Sequence, residues 1–304
     1  VTISYPLLAL SVLAIAAVVV AARLRVFSPP LPSFVPRKPG EGGEIAPPLL
    51  LGAFAAYSVS LLLTWGAALV TGRATWAPSV GEPPNSPPPL DLEAHTAVLA
   101  TLIGMPAVVA IAWWARRLVM QPFDPTPEKI PGTAGRAILW GLLTLPMIFA
   151  IGAVASTISQ VLGHPVEPTA HDMLKRIVDP SGDTWWRACL VATAVFGAPV
   201  IEEVCYRALL QRGLMTLTRS VWPAVIFSSL LFAYMHVSVI PSASFWPALT
   251  TIFSLSVMLG LLFARTGSVV TPIVVHSMFN AISIASALYV EWAQRTGGAG
   301  GAQV

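Results

Sequence analysis

Charge is scarce in this chain. Only 10% of its 304 residues are Asp, Glu, Lys or Arg, where a soluble domain carries about 25%. Hydrophobic residues make up 55% and the mean hydropathy is +0.74. That leaves too little polar surface to coat a water-soluble globule, and the solvent that suits the composition is a bilayer. Alternation is also missing. The apolar runs are about 20 residues long rather than strand segments of about 10, so the spans are helices and not a barrel. Cysteine is nearly absent. Cys189 and Cys205 fall on one expected helix, roughly 24 Å apart at 1.5 Å per residue, too far to bridge. Cys189 reads as filler, and a buried Cys205 as a small hydrophobe. No basic cluster of 4–8 residues occurs among the 17 Lys and Arg, which excludes a nucleic-acid footprint and leaves topology as the use of the charge. No H-E-x-x-H occurs, and no internal repeat of the kind that builds transporters.

What is there is a series of apolar runs. Eight segments qualify as spans, at roughly 4–22, 48–71, 94–115, 137–162, 185–219, 221–240, 246–264 and 269–291. The fold class is therefore all-α, a polytopic transmembrane helix bundle. The first run has no basic region before it and has Arg23 and Arg25 after it, so it reads as a membrane anchor rather than a signal peptide. Of the 17 Lys and Arg, twelve fall toward or beyond the far ends of spans 1, 3, 5 and 7, and five (Arg73, Lys175, Arg176, Arg187, Arg295) fall on the other side. The positive-inside rule then puts both termini outside the cytoplasm. Three segments are rich in proline: 28–48 with seven, 73–93 with six and 121–131 with four. They read as surface connectors. Residues 170–179 suggest a short interfacial helix. The chain divides into spans 1–3 with their Pro-rich loops (1–135), a catalytic membrane part (136–293) and a flexible tail (294–304).

The chemistry is concentrated in the second half. Span 5 carries Glu202, Glu203 and Arg207, span 6 carries Phe232 and His236, and span 8 carries His276 and Asn280. Each ionisable group at a membrane centre costs about 2.5–3.5 kcal/mol on insertion scales, so such residues face an interior where they act. Glu203 and Arg207 are i,i+4 and share a face, as an internal ion pair would require. Glu202 points about 100° away and has no basic residue within a turn, so its partner must come from another helix, with His236 the natural candidate. His276 and Asn280 share a face of span 8. Phe232 shares one with His236 and can wall a substrate pocket. A carboxylate and an imidazole in low dielectric activate water, and a second His with an Asn can serve a developing oxyanion. The bland alternative is that these residues are helix–helix staples. Two acids, an Arg, two His and an Asn on three spans are hard to explain that way. Cys205 has Glu202 but no base of the His type within a helical turn and is a poor nucleophile.

These motifs resemble the CAAX protease and bacteriocin-processing family of intramembrane endopeptidases. That family shows E-E-x-x-x-R, F-x-x-x-H and H-x-x-x-N. The sequence has them in order as Glu202-Glu203-x-x-x-Arg207, Phe232-x-x-x-His236 and His276-x-x-x-Asn280. Ala198-Pro199 precedes the acids. The resemblance covers about residues 137–293. It implies water activation by Glu202 and His236, an oxyanion site at His276 and Asn280, and supporting roles for Glu203 and Arg207. It also implies a membrane-associated protein or peptide as substrate, with membrane lipids as surroundings, no cofactor and no metal, but does not fix which: eukaryotic members cut prenylated CAAX proteins, whereas many bacterial ones are associated with peptide processing or bacteriocin immunity. The expected location is the membrane itself, as a multi-pass protein, and the cytoplasmic membrane if the source is bacterial.

Three other readings compete. Glu202, His236 and His276 could form a His₂Glu zinc site. The chain could be a non-catalytic scaffold or immunity protein that kept the motifs. Intramembrane Glu and His also serve proton-coupled transport.

Overall fold

The structure, a computed structural model, describes residues 5–29, 35, 42–78, 86, 88–118, 133–164, 174, 177–178 and 183–299. The Pro-rich segment 121–131 lies outside them, as does most of the short helix expected over 170–179. Among the described residues there is no strand, and eight long helices carry the chain: α1 (Tyr5–Arg23), α2 (Gly42–Thr71), α3 (Leu90–Leu118), α4 (Thr133–Val161), α5 (Thr184–Thr218), α6 (Val221–Met235), α7 (Phe245–Thr266) and α8 (Val270–Ala299). Seven are long and apolar enough to cross a membrane; the apolar stretch Val12–Arg23 in α1 is shorter. Large apolar side chains such as Phe54, Leu62, Leu139, Phe196 and Trp246 are exposed. On a water-soluble surface such a belt would aggregate, whereas in a bilayer it meets lipid. The chain is an integral, multi-pass helical protein.

Some boundaries differ from the sequence reading. The sixth span was expected to be helical to 240, but α6 stops at Met235, and His236 caps it with φ −93° and ψ −6° before a 3₁₀ turn at Val237–Val239. The helix ends where the His236 amide turns to Ala233 O and the His236 side chain takes Phe232 O, the carbonyl that the amide would bond in a continuing helix. At the other end, α8 continues to Ala299, past the tail boundary read at 294.

α7 is the central strut. Its apolar window is 61% buried, against 22–39% in the other spans. One core packs α1, α4, α7 and α8 around Ile148, Leu255, Leu259, Leu262 and Val275. A second packs α2 and α3 against α5 and α6 through Leu49, Ala56, Val108, Leu209 and Phe232. This second core crosses the boundary read at residue 135. Glycine sets the closest approaches. A Cβ at Gly52 would lie 2.7 Å from Ala115 Cβ, and one at Gly141 2.6 Å from Met278 Sδ. Small residues at crossings are how membrane helices gain packing without a hydrophobic driving force.

α5 positions the site, and it is not a regular helix. Wide π turns occupy Thr193–Gly197 and Val204–Gln211, on either side of the regular turn Ala198–Glu203. Pro199 accounts for the first. It has no N–H and its ring clashes with the carbonyl one turn back, so the ladder must open. The Ala198 amide bonds Thr193 O, five residues back. π turns of this sort recur at functional sites.

Candidate active site

The acids stand where the regular turn of α5 meets the second π turn. Glu203 is fully buried and faces two cations or donors at once. Its Oε2 lies 3.1 Å from Arg207 Nε in a pair with no solvent exposure at either side chain. Its Oε1 accepts from His276 Nδ1 at 3.0 Å. Arg207 extends the chain further, with Nη2 donating to Ser256 Oγ at 3.1 Å and Ser256 O at 3.4 Å on α7. Its guanidinium also lies over the Phe232 ring at 5.3 Å. The Glu203–Arg207 pairing follows from the i,i+4 spacing. The contacts to α7 and α8 complete a relay from Ser256 to His276.

Glu202 is the accessible acid, with its side chain 26% exposed. The imidazole beside it belongs to His276, whose Nε2 is 3.7 Å from Glu202 Oε2. That separation is too long for a direct hydrogen bond and suits one bridging group. His276 thus stands between two carboxylates, bonded to the sealed one through Nδ1 and facing the open one through Nε2. Because Glu203 can only accept when ionised, the proton on Nδ1 is assigned to His276. The Glu202–His236 pairing expected from the sequence is not made directly: among the described residues, no ion pair joins the two.

His236 sits at the end of α6, half-buried. Its Nδ1 bonds Phe232 O at 2.8 Å. A carbonyl only accepts, so Nδ1 carries the hydrogen and Nε2 presents its lone pair outward. Phe232 packs against both imidazoles. Its centroid is 4.6 Å from that of His236 and 5.9 Å from that of His276, and its edge meets Tyr206 at 5.1 Å. Phe232 is itself buried, so it walls the site from within.

Asn280 donates from Nδ2 to Ala194 O at 2.8 Å. The acceptor exists because of Pro199. In a regular helix the Ala198 amide would bond Ala194 O, but it has gone to Thr193 O, and Pro199 offers nothing. Asn280 supplies the missing donor from α8, which fastens α8 to the opened part of α5. One Nδ2 hydrogen remains for another acceptor.

Two polar residues at this level were not anticipated. Gln211 is buried and donates from Nε2 to Gly260 O at 2.9 Å, and Ser256 receives Arg207. The signal for Gln211 was present, since it stands one turn beyond Arg207 on the stripe of Glu203. Ser256 and Gly260 gave no signal, as small residues on an apolar span look like packing. Among the described residues, no group of three or more His, Cys, Asp or Glu side chains is arranged to hold a metal ion.

The fold and site together define a polytopic helical membrane protein with an ionisable cluster enclosed by α5, α6, α7 and α8. Residues 184–282 match the family model described as type II CAAX prenyl endopeptidase Rce1-like. The matched segment, about a third of the chain, is similar to type II CAAX prenyl endopeptidases and includes all seven motif residues. No curated protein and no solved structure matches the chain.

Proposed function

We propose that the chain is an intramembrane endopeptidase that cleaves a peptide bond in a membrane-associated protein or peptide of the prenylated CAAX class. The observation that carries this reading is His276 held between a sealed Glu203 and an open Glu202. A staple needs only one carboxylate on a histidine. The second, left half-open at 3.7 Å, is what a reacting water or substrate group requires.

Glu202 takes a proton from a water molecule, and His236 Nε2 orients that water by accepting its other hydrogen. The hydroxide oxygen adds to the scissile carbonyl carbon, and the C=O electron pair moves to oxygen. His276, when protonated on both nitrogens, donates from Nδ1 to Glu203 and presents Nε2–H to this oxyanion. Asn280 offers its second Nδ2 hydrogen. The intermediate collapses as the C–N bond breaks, and the proton held by Glu202 passes to the departing amine. Atoms balance with one water consumed and two peptide products formed.

A second reading has its own support. The bonds of Asn280 to Ala194 O and of His276 to Glu203 fasten α8 to α5, as a non-catalytic scaffold would also need. A quenched fluorescent peptide with a farnesylated CAAX terminus, incubated with the detergent-purified chain, separates the two. The protease reading expects cleavage, and cleavage that persists in excess chelator. A folded, wild-type chain that leaves the peptide and a panel of prenylated variants intact supports the scaffold. Loss of cleavage on chelation, restored by zinc, supports the His₂Glu metal site instead.

A further inference from the structure

Three fully buried polar groups behind the site have atoms with no hydrogen-bond partner: Arg207 Nη1, Gln211 Oε1 and Ser229 Oγ. All three side chains are 0% exposed. A buried donor or acceptor left unpaired is destabilising, so three of them need a reason. The contacts of Gln211 and Arg207 put them at neighbouring levels of α6, on either side of Ser229. The orientation of the Gln211 amide is fixed, because Nε2 must be the atom facing Gly260 O at 2.9 Å, and Oε1 therefore turns away. Oε1 lies 2.8 Å from where a Cβ at Gly260 would stand, and Val225 Cγ1 is 3.2 Å from that same point. Gln211 thus meets α6 at the level of Val225. Arg207 meets α6 at the level of Phe232, whose ring is 5.3 Å from its Cζ. Ser229 is four residues after Val225 and three before Phe232, so it shares their face of the helix and looks at the stretch of α5 between Gln211 and Arg207. One group donates, one accepts and the third can do both.

We infer that Arg207, Gln211 and Ser229 enclose one ordered water molecule, and that Gln211 and Ser229 are positioning residues for the acid pair. Buried waters make about three hydrogen bonds to otherwise unsatisfied groups. Here Arg207 Nη1 donates to the water oxygen, and the water donates to Gln211 Oε1 and Ser229 Oγ. The water fixes the one edge of the guanidinium that Glu203 and Ser256 leave free. The guanidinium in turn fixes Glu203, and Glu203 fixes the His276 ring. Gly260 is required at its position because any Cβ there would push Gln211 Oε1 off the water. The effect on turnover rests on the protease reading, but the water itself does not.

Ser229→Ala removes a hydroxyl that has no hydrogen-bond partner in the protein. If that hydroxyl were merely unsatisfied, its removal would leave activity unchanged and raise the melting temperature. With the water present, kcat on the farnesylated reporter falls about tenfold with KM unchanged, because the ring is mis-set rather than substrate lost. Ser229→Thr restores it. Gln211→Met gives a similar loss, and the double variant is no worse than the worse single, since both act through one molecule. An additive, roughly hundredfold loss, or an unchanged kcat in Ser229→Ala, overturns the proposal. A structure of the wild-type chain resolved finely enough to show ordered water tests it without any substrate. It should show one peak within hydrogen-bond distance of all three atoms. Closed packing there, or Arg207 Nη1 bonded directly to protein, rejects it even if the chain proves to be a protease.

Discussion

Glu202 and Glu203 are neighbours of the same chemical type, and the structure gives them opposite consequences on neutralisation. Glu203→Gln removes the charge facing Arg207 at 3.1 Å and His276 at 3.0 Å, with no solvent at the pair. Breaking a buried pair by removing one partner costs about 3–5 kcal/mol, because the remaining charge is left without compensation. Arg207 keeps its bonds to Ser256, which argues for the lower half of that range. For a chain of this size about 2–4 °C of melting temperature goes with each kcal/mol. Glu203→Gln should therefore melt roughly 6–16 °C below wild type. Glu202→Gln loses only a 3.7 Å contact at a side chain 26% exposed, and exposed pairs contribute about 0–1 kcal/mol, so its melting point should move by no more than about 4 °C. The assay is thermal unfolding of the detergent-purified chain followed by a thiol-reactive dye on Cys189 and Cys205. Equal losses in the two variants, or a wild-type melting point in Glu203→Gln, would refute the division between a sealed structural acid and an open reactive one.

Further outcomes follow from other contacts. Gly52→Ala should lower stability by about 1–3 kcal/mol, since its Cβ would stand 2.7 Å from Ala115 Cβ, which has no rotamer to turn; Gly66→Ala, with nothing within 4 Å, should be neutral or slightly stabilising, and both are read by the same melt. Asn280→Ala should cost about 1–3 kcal/mol by stranding Ala194 O, and Asn280→Asp should be worse, because a carboxylate facing that carbonyl cannot donate; thermal melting ranks the two. Single cysteines placed in 26–46 and 116–135 should react with membrane-impermeant reagents only from the cytoplasmic side, and labelling from the outer face would reverse the orientation read from the Arg and Lys distribution.

The helices were legible because each apolar run must satisfy its own backbone in lipid, and run length fixes the element. The Glu203–Arg207 pair was legible because both residues lie on one helix and spacing determines the face. The partner of Glu202 was not. Nothing in the residues of α6 or α8 says which face of either meets α5, so choosing His236 over His276 needed the packing. The bond from Asn280 could have been found by asking where the carbonyl freed by Pro199 goes, though only the three-dimensional contact says that α8 answers. The end of α6 at Met235 was obscured because an apolar sequence continues past it, and hydrophobicity alone does not mark a cap. Ser256 and Gly260 stayed hidden since small residues carry the same signal whether they admit a helix or a guanidinium.

The central claim is that Glu202 is the base in a peptide hydrolysis. Its most direct test is mass spectrometry of a farnesylated CAAX peptide after incubation with wild-type chain and with Glu202→Gln at matched folded concentration. The account predicts that wild type releases the C-terminal fragment and leaves one oxygen from ¹⁸O-labelled water in the new carboxylate of the farnesylated fragment. Glu202→Gln should bind the peptide with similar affinity but cleave it at least 10²–10⁴-fold more slowly, the range general base catalysis contributes. Cleavage by Glu202→Gln at the wild-type rate, or products that carry no label, would contradict it.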